Sequence, residues 1–447
     1  MQSIAQATAA LNAGATSRGL IEESLARIEN KAGEGQRAFL KVHTGVARAA
    51  ADFHDRMRAS GAAVSRFAGI PISIKDLFDI AGDVTTAGTI VLRDAAPAAA
   101  DARAVARLRA AGFIPVGRTN MTEFAFSGIG INPHYGTPLG PYDRKAGRIP
   151  GGSSSGGAVS VADGMAMGAL GTDTGGSCRI PAAFCAIVGF KPTAARVPTQ
   201  GAFALSTTLD SVGPLAATVE CCAILDAVLA GEPVEDLVPF PLDGLRLAAP
   251  QTVVLDDMEP KVAQAFDSAL AALRKADARI TDIPLREFAE LRAINVKGGF
   301  AAAQSYAIHR SLIAKSEKLY DPKMLVRILR GREQDAADYI DLIKARADFM
   351  RRVSAITAPY DALVMPTVPV IAPRVSELKE DDAYRRTNVL VLRNPSIANF
   401  LDGCSISIPC HRAGDAPVGL MLFGQHNADR RLLSIAAAIE QVVSPTS

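Results

Sequence analysis

No run in this sequence approaches the roughly 18 apolar residues that a membrane-spanning helix requires. Charge of one sign is missing as well. The 48 Lys and Arg stand against 46 Asp and Glu, a net charge of +2, and no strongly basic cluster occurs along the chain. Neither a nucleic-acid backbone nor a membrane surface therefore has an electrostatic counterpart here. Cysteine is scarce. Cys178, Cys185, Cys221, Cys222, Cys404 and Cys410 form no C-x-x-C pair, and no Cys/His set has zinc spacing. No metal is expected, and free thiols in a reducing compartment, the cytoplasm by default, are the simplest reading. The opening stretch MQSIAQATAALNAGATSRGLIEESLARIEN lacks a basic n-region and carries acids early, so it does not read as a signal peptide.

What remains is an ordinary soluble composition, 49% hydrophobic and 21% charged, slightly rich in small residues. A single core stops growing near about 250–300 residues, so this length permits two domains or one large sheet-based domain. Leu20, Ile21, Leu25 and Ile28 recur at helical spacing with Ser17 as a plausible cap, and the first 60 or so residues read as helices. Gly69–Lys75 then reads as a short strand ending in lysine, followed by a helix over Asp101–Ala111 and a strand over Phe113–Val116. This alternation predicts an α/β sheet. A Pro- and acid-rich connector occupies 231–244. A strand at Leu245–Ala248 and an amphipathic helix at Lys261–Lys275 follow, then a mostly helical, charged stretch over 285–355. Ala362–Met365, Ser405–Ile408 and Val418–Phe423 return to strand character, and a helix over Asn427–Val443 closes the chain. Strand content on both sides of the helical stretch predicts one sheet with an insertion.

The densest chemistry lies in IPGGSSSGGAVSVADGMAMGALGTDTGGSCRIPAAFCAIVGFKPT, residues 149–193. Two Gly/Ser-rich turns flank small and apolar residues. The second, Thr174-Gly175-Gly176-Ser177, feeds a helix-like run at Pro181–Ile187. Consecutive backbone N–H groups in such a turn can point at one spot, which is what a developing oxyanion needs. The serine needs a base. Of six histidines only His134 falls near the motif. Lys75 is the better candidate, because a lysine desolvated at a strand end loses its proton more readily. The glycine-rich turns lack the G-x-x-x-x-G-K-[ST] and G-x-G-x-x-G patterns of nucleotide cradles. Cys178 adjoins the serine but has no partner base, so it reads as a packed small side chain.

The runs GIPISIKDLFDI, GRTNMTEFAFSGIGINPHYGT and PGGSSSGG…GTDTGGSCRIPAAFCAIVGFKPT together resemble the amidase-signature hydrolases, most strongly over residues 65–195. The resemblance implies one α/β/α domain spanning 1–447: N-terminal helices over 1–62, a signature core over 65–195 and a helical insertion over 285–355. Its mixed twisted central sheet would be covered by helices on both faces. It implies a catalytic set of Lys75, Ser153 and Ser177, with a cis peptide bond before Ser153. The 24-residue spacing from Ser153 to Ser177 agrees with the family. The oxyanion donors would be the N–H groups of Thr174, Gly175, Gly176 and Ser177, and no cofactor would be needed. Gly140-Pro141-Tyr142-Asp143 departs from the family's Asn-Pro-Trp-Asp. Arg179 reads either as a contact for a substrate carboxylate or as a partner for Asp173, and Ser154 as a substrate contact or a loop hydrogen-bond former.

The activity implied is hydrolysis of a small carboxamide through an acyl-enzyme. Its partner would be the small-molecule amide, with a homodimer left open. The alternatives are the glutaminase-type component of a tRNA-dependent amidotransferase and a catalytically silent binding protein on the same fold.

Overall fold

The computed structural model describes residues 2–444. Among them eleven strands form one sheet: β1 Phe39–Val42, β2 Pro71–Lys75, β3 Ile114–Thr119, β4 Gly168–Asp173, β5 Val188–Lys191, β6 Ser211–Ala216, β7 Arg246–Pro250, β8 Arg279–Ile283, β9 Ala362–Pro366, β10 Ser405–Pro409 and β11 Gly419–Phe423. Across the sheet they run β1-β3-β2-β4-β6-β5-β10-β11-β9-β7-β8. β2 is parallel to β3 and β4, whereas β4 is antiparallel to β6. The sheet is therefore mixed. The helical 285–355 stretch enters between β8 and β9, as an insertion within one sheet.

Alternate residues along each strand point to opposite faces. Leu247 and Ala249 of β7, Val364 of β9 and Leu420 and Leu422 of β11 join one apolar cluster with Val105, Leu108 and Leu225 from helices. Their neighbours Ala248, Leu363, Met365, Met421 and Phe423 join another with Phe300, Phe349 and Ile397. At the far end of that second face, Ala169 and Leu215 pack against Ile21, Leu25 and Ile28. Helices thus cover both faces, which is why the central strands are buried throughout.

The N-terminal expectation needs two corrections. β1 interrupts the helices before residue 60 and pairs antiparallel with β3. The first long helix, Ser17–Glu29, is capped by Thr16 rather than Ser17, one residue earlier than expected. Other elements also lay outside the sequence expectation, among them β4 between the two Gly/Ser-rich turns, β6, the Val219–Ala230 helix and the Asp381–Phe400 helix, which carries Pro395 in its interior.

Candidate active site

β2 and β4 run side by side and parallel within the sheet, so Lys75 and Asp173, the last residues of each, stand at the same end of the strands. Ile72 and Ile74 face the cluster on one side of the sheet. The alternation then sends Ser73 and Lys75 to the other side, where Ser73 Oγ meets Ser160 Oγ at 2.8 Å on the Ser155–Ala162 helix. That helix begins immediately after the first Gly/Ser-rich turn. Lys75 Nζ lies 2.8 Å from Ser153 Oγ and 2.9 Å from Thr172 Oγ1, with Thr172 O at 3.4 Å. The lysine is fully buried. Burial lowers its pKa from 10.5 to about 8, although Cys178, Asp173 and Asp210 oppose the shift. The Gly152–Ser153 peptide bond is cis.

The two turns are tied together. The Ser154 N–H donates to the Ser177 carbonyl at 3.3 Å, and the Thr122 N–H donates to the Ser153 carbonyl at 3.1 Å. Ser154 Oγ reaches Thr172 O only weakly, at 3.5 Å. No hydrogen bond joins Ser153 Oγ to Ser177 Oγ among the described residues. Such contacts commonly tighten only when substrate arrives.

Asp173 organises the second turn. Its carboxylate accepts the N–H of Gly176 (2.7 Å) and Cys178 (3.0 Å), Arg179 Nε (3.0 Å) and Nη2 (2.9 Å), and Asn399 Nδ2 (3.0 Å). Burial alone would raise this carboxyl. Arg179, Asn399 and the Cys178 N–H outweigh it and hold the group well below its ordinary range. Gly176 adopts φ +128°, and a Cβ there would sit 2.7 Å from Ile180 Cδ1 and Pro395 Cβ, so the position requires glycine. Its N–H is spent on Asp173. Of the four backbone donors expected at an oxyanion, those of Thr174, Gly175 and Ser177 are left without a protein acceptor among the described residues.

Arg179 is completely buried. Beyond Asp173 it donates to Asn399 Oδ1 at 2.7 Å and approaches Ser405 Oγ and Met421 Sδ. This geometry favours the pairing role over contact with a substrate carboxylate. Arg179→Met would leave Asp173 ionised and buried without its cation. A loss of about 3–5 kcal/mol in urea unfolding is expected.

Arg327 is one of the charged groups that sequence reasoning missed. Arg327, on the Pro322–Leu329 helix of the insertion, has no ion pair or hydrogen bond among the described residues, and its Nε is enclosed without a partner. Its guanidinium lies 4.7 Å from the centre of the Phe126 ring. Burial lowers its pKa to about 10, which leaves it charged at neutral pH. Close by, Tyr384 OH donates to Ser127 Oγ (2.8 Å), which donates to Asn388 Oδ1 (2.9 Å). Asn388 Nδ2 is a second buried donor without a partner. The helix is held in place by buried Glu123, which accepts the Asp321 N–H at its cap (2.8 Å), Thr89 Oγ1 (2.6 Å) and His134 Nε2 (2.8 Å). The Phe126–Gly128 segment also reaches the second turn. A Cβ at Gly128 would touch Ile180 Cδ1, as would one at Gly176. No local motif marks Arg327, because its neighbours come from residues 126 and 384–388.

Among the described residues, no group of three or more His, Cys, Asp or Glu is arranged to hold a metal. The six cysteines are free and buried. Among the described residues, no helix is long and apolar enough to cross a membrane.

The sequence profile of the amidase family matches residues 19–433. The 2-amino-5-chloromuconic acid deaminase of Comamonas testosteroni is 36% identical over 407 residues, covering 89% of this chain and 86% of that protein. The A component of the glutamyl-tRNA(Gln) amidotransferase of Chromohalobacter salexigens is 32% identical over 477 residues, covering 98% and 96%. A crystal structure of an amidase superposes with a TM-score of 0.89 at 28% identity, covering 99% of this chain and 100% of that one.

Proposed function

This chain belongs to the amidase family, and on that premise we propose that it hydrolyses small carboxamides by itself, with Ser177 as nucleophile and Lys75, acting through Ser153, as base. The observation that carries this reading is the buried Lys75 amine, 2.8 Å from Ser153 Oγ and beside a turn with three unspent N–H groups. Neutral Lys75 takes the Ser153 proton while Ser153 takes that of Ser177. Ser177 Oγ bonds to the amide carbon, and the N–H groups of Thr174, Gly175 and Ser177 receive the oxyanion. As the C–N bond breaks, the proton returns along the relay to the leaving nitrogen. Water then cleaves the acyl-enzyme, giving carboxylate and regenerating Ser177.

The free guanidinium of Arg327 supports a substrate that carries a carboxylate, which arginine binds through paired charge-assisted hydrogen bonds. The acid in the name of the Comamonas testosteroni relative fits the same expectation. Arg327→Met is expected to raise KM for a carboxylated amide about 10- to 100-fold, the loss of a charged hydrogen bond. A neutral amide should be little affected. Steady-state kinetics on such a matched pair checks this, and equal effects on both substrates would remove Arg327 from the binding site.

The amidotransferase relatives favour a second reading, a glutaminase component that passes ammonia to a partner. Ammonia release by the purified single chain separates the two. Turnover of carboxamides without any partner supports the hydrolase. Glutaminase activity that emerges only with a co-purified partner and charged tRNA supports the amidotransferase. The absence of turnover across an amide panel, with Ser177 unlabelled by a fluorophosphonate, would leave a silent binding protein.

A further inference from the structure

Asp210 stands immediately before β6, opposite the point where the chain leaves β4, since Asp173 and Ser211 close that ladder. Its Oδ1 accepts Thr174 Oγ1 at 2.6 Å and the Ser206 N–H at 3.1 Å, and its Oδ2 accepts the Leu205 N–H at 3.0 Å. Ser206 Oγ then donates to Gln304 Oε1 at 2.6 Å, and the Thr208 N–H donates to the same oxygen at 3.1 Å. Gln304 Nε2 donates onward to Tyr339 OH at 2.7 Å. Gln304 and Tyr339 belong to the Gly299–Ser316 and Ala336–Thr357 helices of the insertion. A chain of hydrogen bonds therefore runs from the inserted helices, through Asp210, to the first residue of the Thr174–Ser177 turn.

We propose that Asp210 is a positioning residue of the hydrolytic site. It holds the Thr174 hydroxyl so that the free N–H groups of Thr174, Gly175 and Ser177 converge on the reacting carbonyl oxygen, and Gln304 extends that hold to the inserted helices. The inference rests on the hydrolase reading above. Geometry is its basis. Thr174 is the only one of the three donor residues whose side chain is anchored, because Gly175 has none and the Ser177 hydroxyl must stay free to react. Oxyanion donors work by being fixed before charge develops, so the residue that fixes them acts on the rate and not on substrate affinity. Burial raises the Asp210 carboxyl to about 6 and still leaves it mostly ionised at neutral pH, where its bond to the Thr174 hydroxyl is charge-assisted.

The test is a double-mutant cycle on the full chain, with an amide that the wild type turns over. Asp210→Asn and Thr174→Val are each expected to lower kcat about 10- to 100-fold, with KM changed less than about threefold. The double variant should be no slower than the worse single one, because both substitutions cut the same hydrogen bond. Thr174→Ser should recover most of the rate that Thr174→Val loses. Wild-type kcat in Asp210→Asn, or losses that add in the double variant, would overturn the proposal. If Asp210→Asn does not fold, Thr174→Val against Thr174→Ser decides it alone, and equal rates would count against it. Should the wild type turn over no amide, the hydrolase reading fails separately. The rate of Ser177 phosphonylation by a fluorophosphonate then reports on the turn, because its N–H groups also receive the phosphonyl oxygen. Slower labelling of Asp210→Asn supports the proposal, and an equal rate overturns it.

Discussion

Ser177→Ala is expected to lower kcat for amide hydrolysis by about 10⁴-fold or more, because loss of a nucleophile removes the covalent route entirely and leaves only binding and the oxyanion turn. Cys178→Ala should keep most of the activity. The two residues are adjacent, yet their surroundings differ. Ser177 ends a turn with free N–H groups, whereas Cys178 is fully buried and its Sγ approaches only the Gly213 carbonyl, at 3.6 Å. Burial, with the nearby Asp173 charge, pushes the Cys178 thiol well above its ordinary pKa, so a thiolate does not form near neutral pH. A fluorophosphonate should therefore modify Ser177 once per chain, as read by peptide mass spectrometry, and should leave the Ser177→Ala variant unlabelled. Inactivity of Cys178→Ala alongside an active Ser177→Ala would make this a thiol enzyme and end the serine assignment.

The catalytic candidates were legible because turn chemistry is local. Gly, Ser and Thr at fixed offsets specify backbone shape within a few residues, and Lys75 closes an apolar strand that reads directly. The amphipathic helix expected at Lys261–Lys275 is observed at Pro260–Lys275 for a similar reason, its apolar residues recurring at helical spacing. β4 and β6 were less legible. Gly168–Asp173 and Ser211–Ala216 are buried on both faces and built from small residues, so no alternation marks them. β1 is only four residues long and sits among helices. The Asp381–Phe400 helix contains Pro395, which argues against a helix interior in a sequence, yet Leu392, Pro395 and Ser396 bring it against the second turn, and Asn388 and Val391 against Ser127 and Gly128. The groups proposed to bind substrate or position the turn were invisible for a different reason. Arg327, Asn388 and Asp210 lie far apart in sequence and carry no motif. Arg327 becomes notable only because none of the described residues pairs with its charge, and Asp210 only because Thr174 pairs with it. Each depends on contacts between segments far apart in the chain: Arg327 with Phe126, Asn388 with Ser127, and Asp210 with Thr174.

Lys75→Met is expected to lower kcat by about 10³- to 10⁴-fold while leaving the protein no less stable at pH 7. The first half follows from the loss of the base at the head of the relay. The second follows from desolvation. In the fold, burial brings the Lys75 amine from 10.5 down to about 8, and in the unfolded chain it returns to 10.5. Between those values the unfolded state binds more protons than the folded one, so this residue's contribution to stability rises with pH across that window. Below pH 8 both states are protonated and the cost of a buried ammonium is felt in full, about 3 kcal/mol. Methionine removes that cost and fills similar space, at the loss of the contacts to Ser153 and Thr172. In the wild type, the same ionisation sets the activity profile. Only the neutral amine accepts a proton, so kcat/KM should climb as pH rises towards about 8 and then level off. Urea unfolding at pH 7 and at pH 10, with a pH–rate profile, separates the two effects. A Lys75→Met protein that is inactive and markedly destabilised at pH 7 would mean that the lysine is a structural cation. A wild-type profile flat from pH 6 to 9 would mean that Lys75 is not the base.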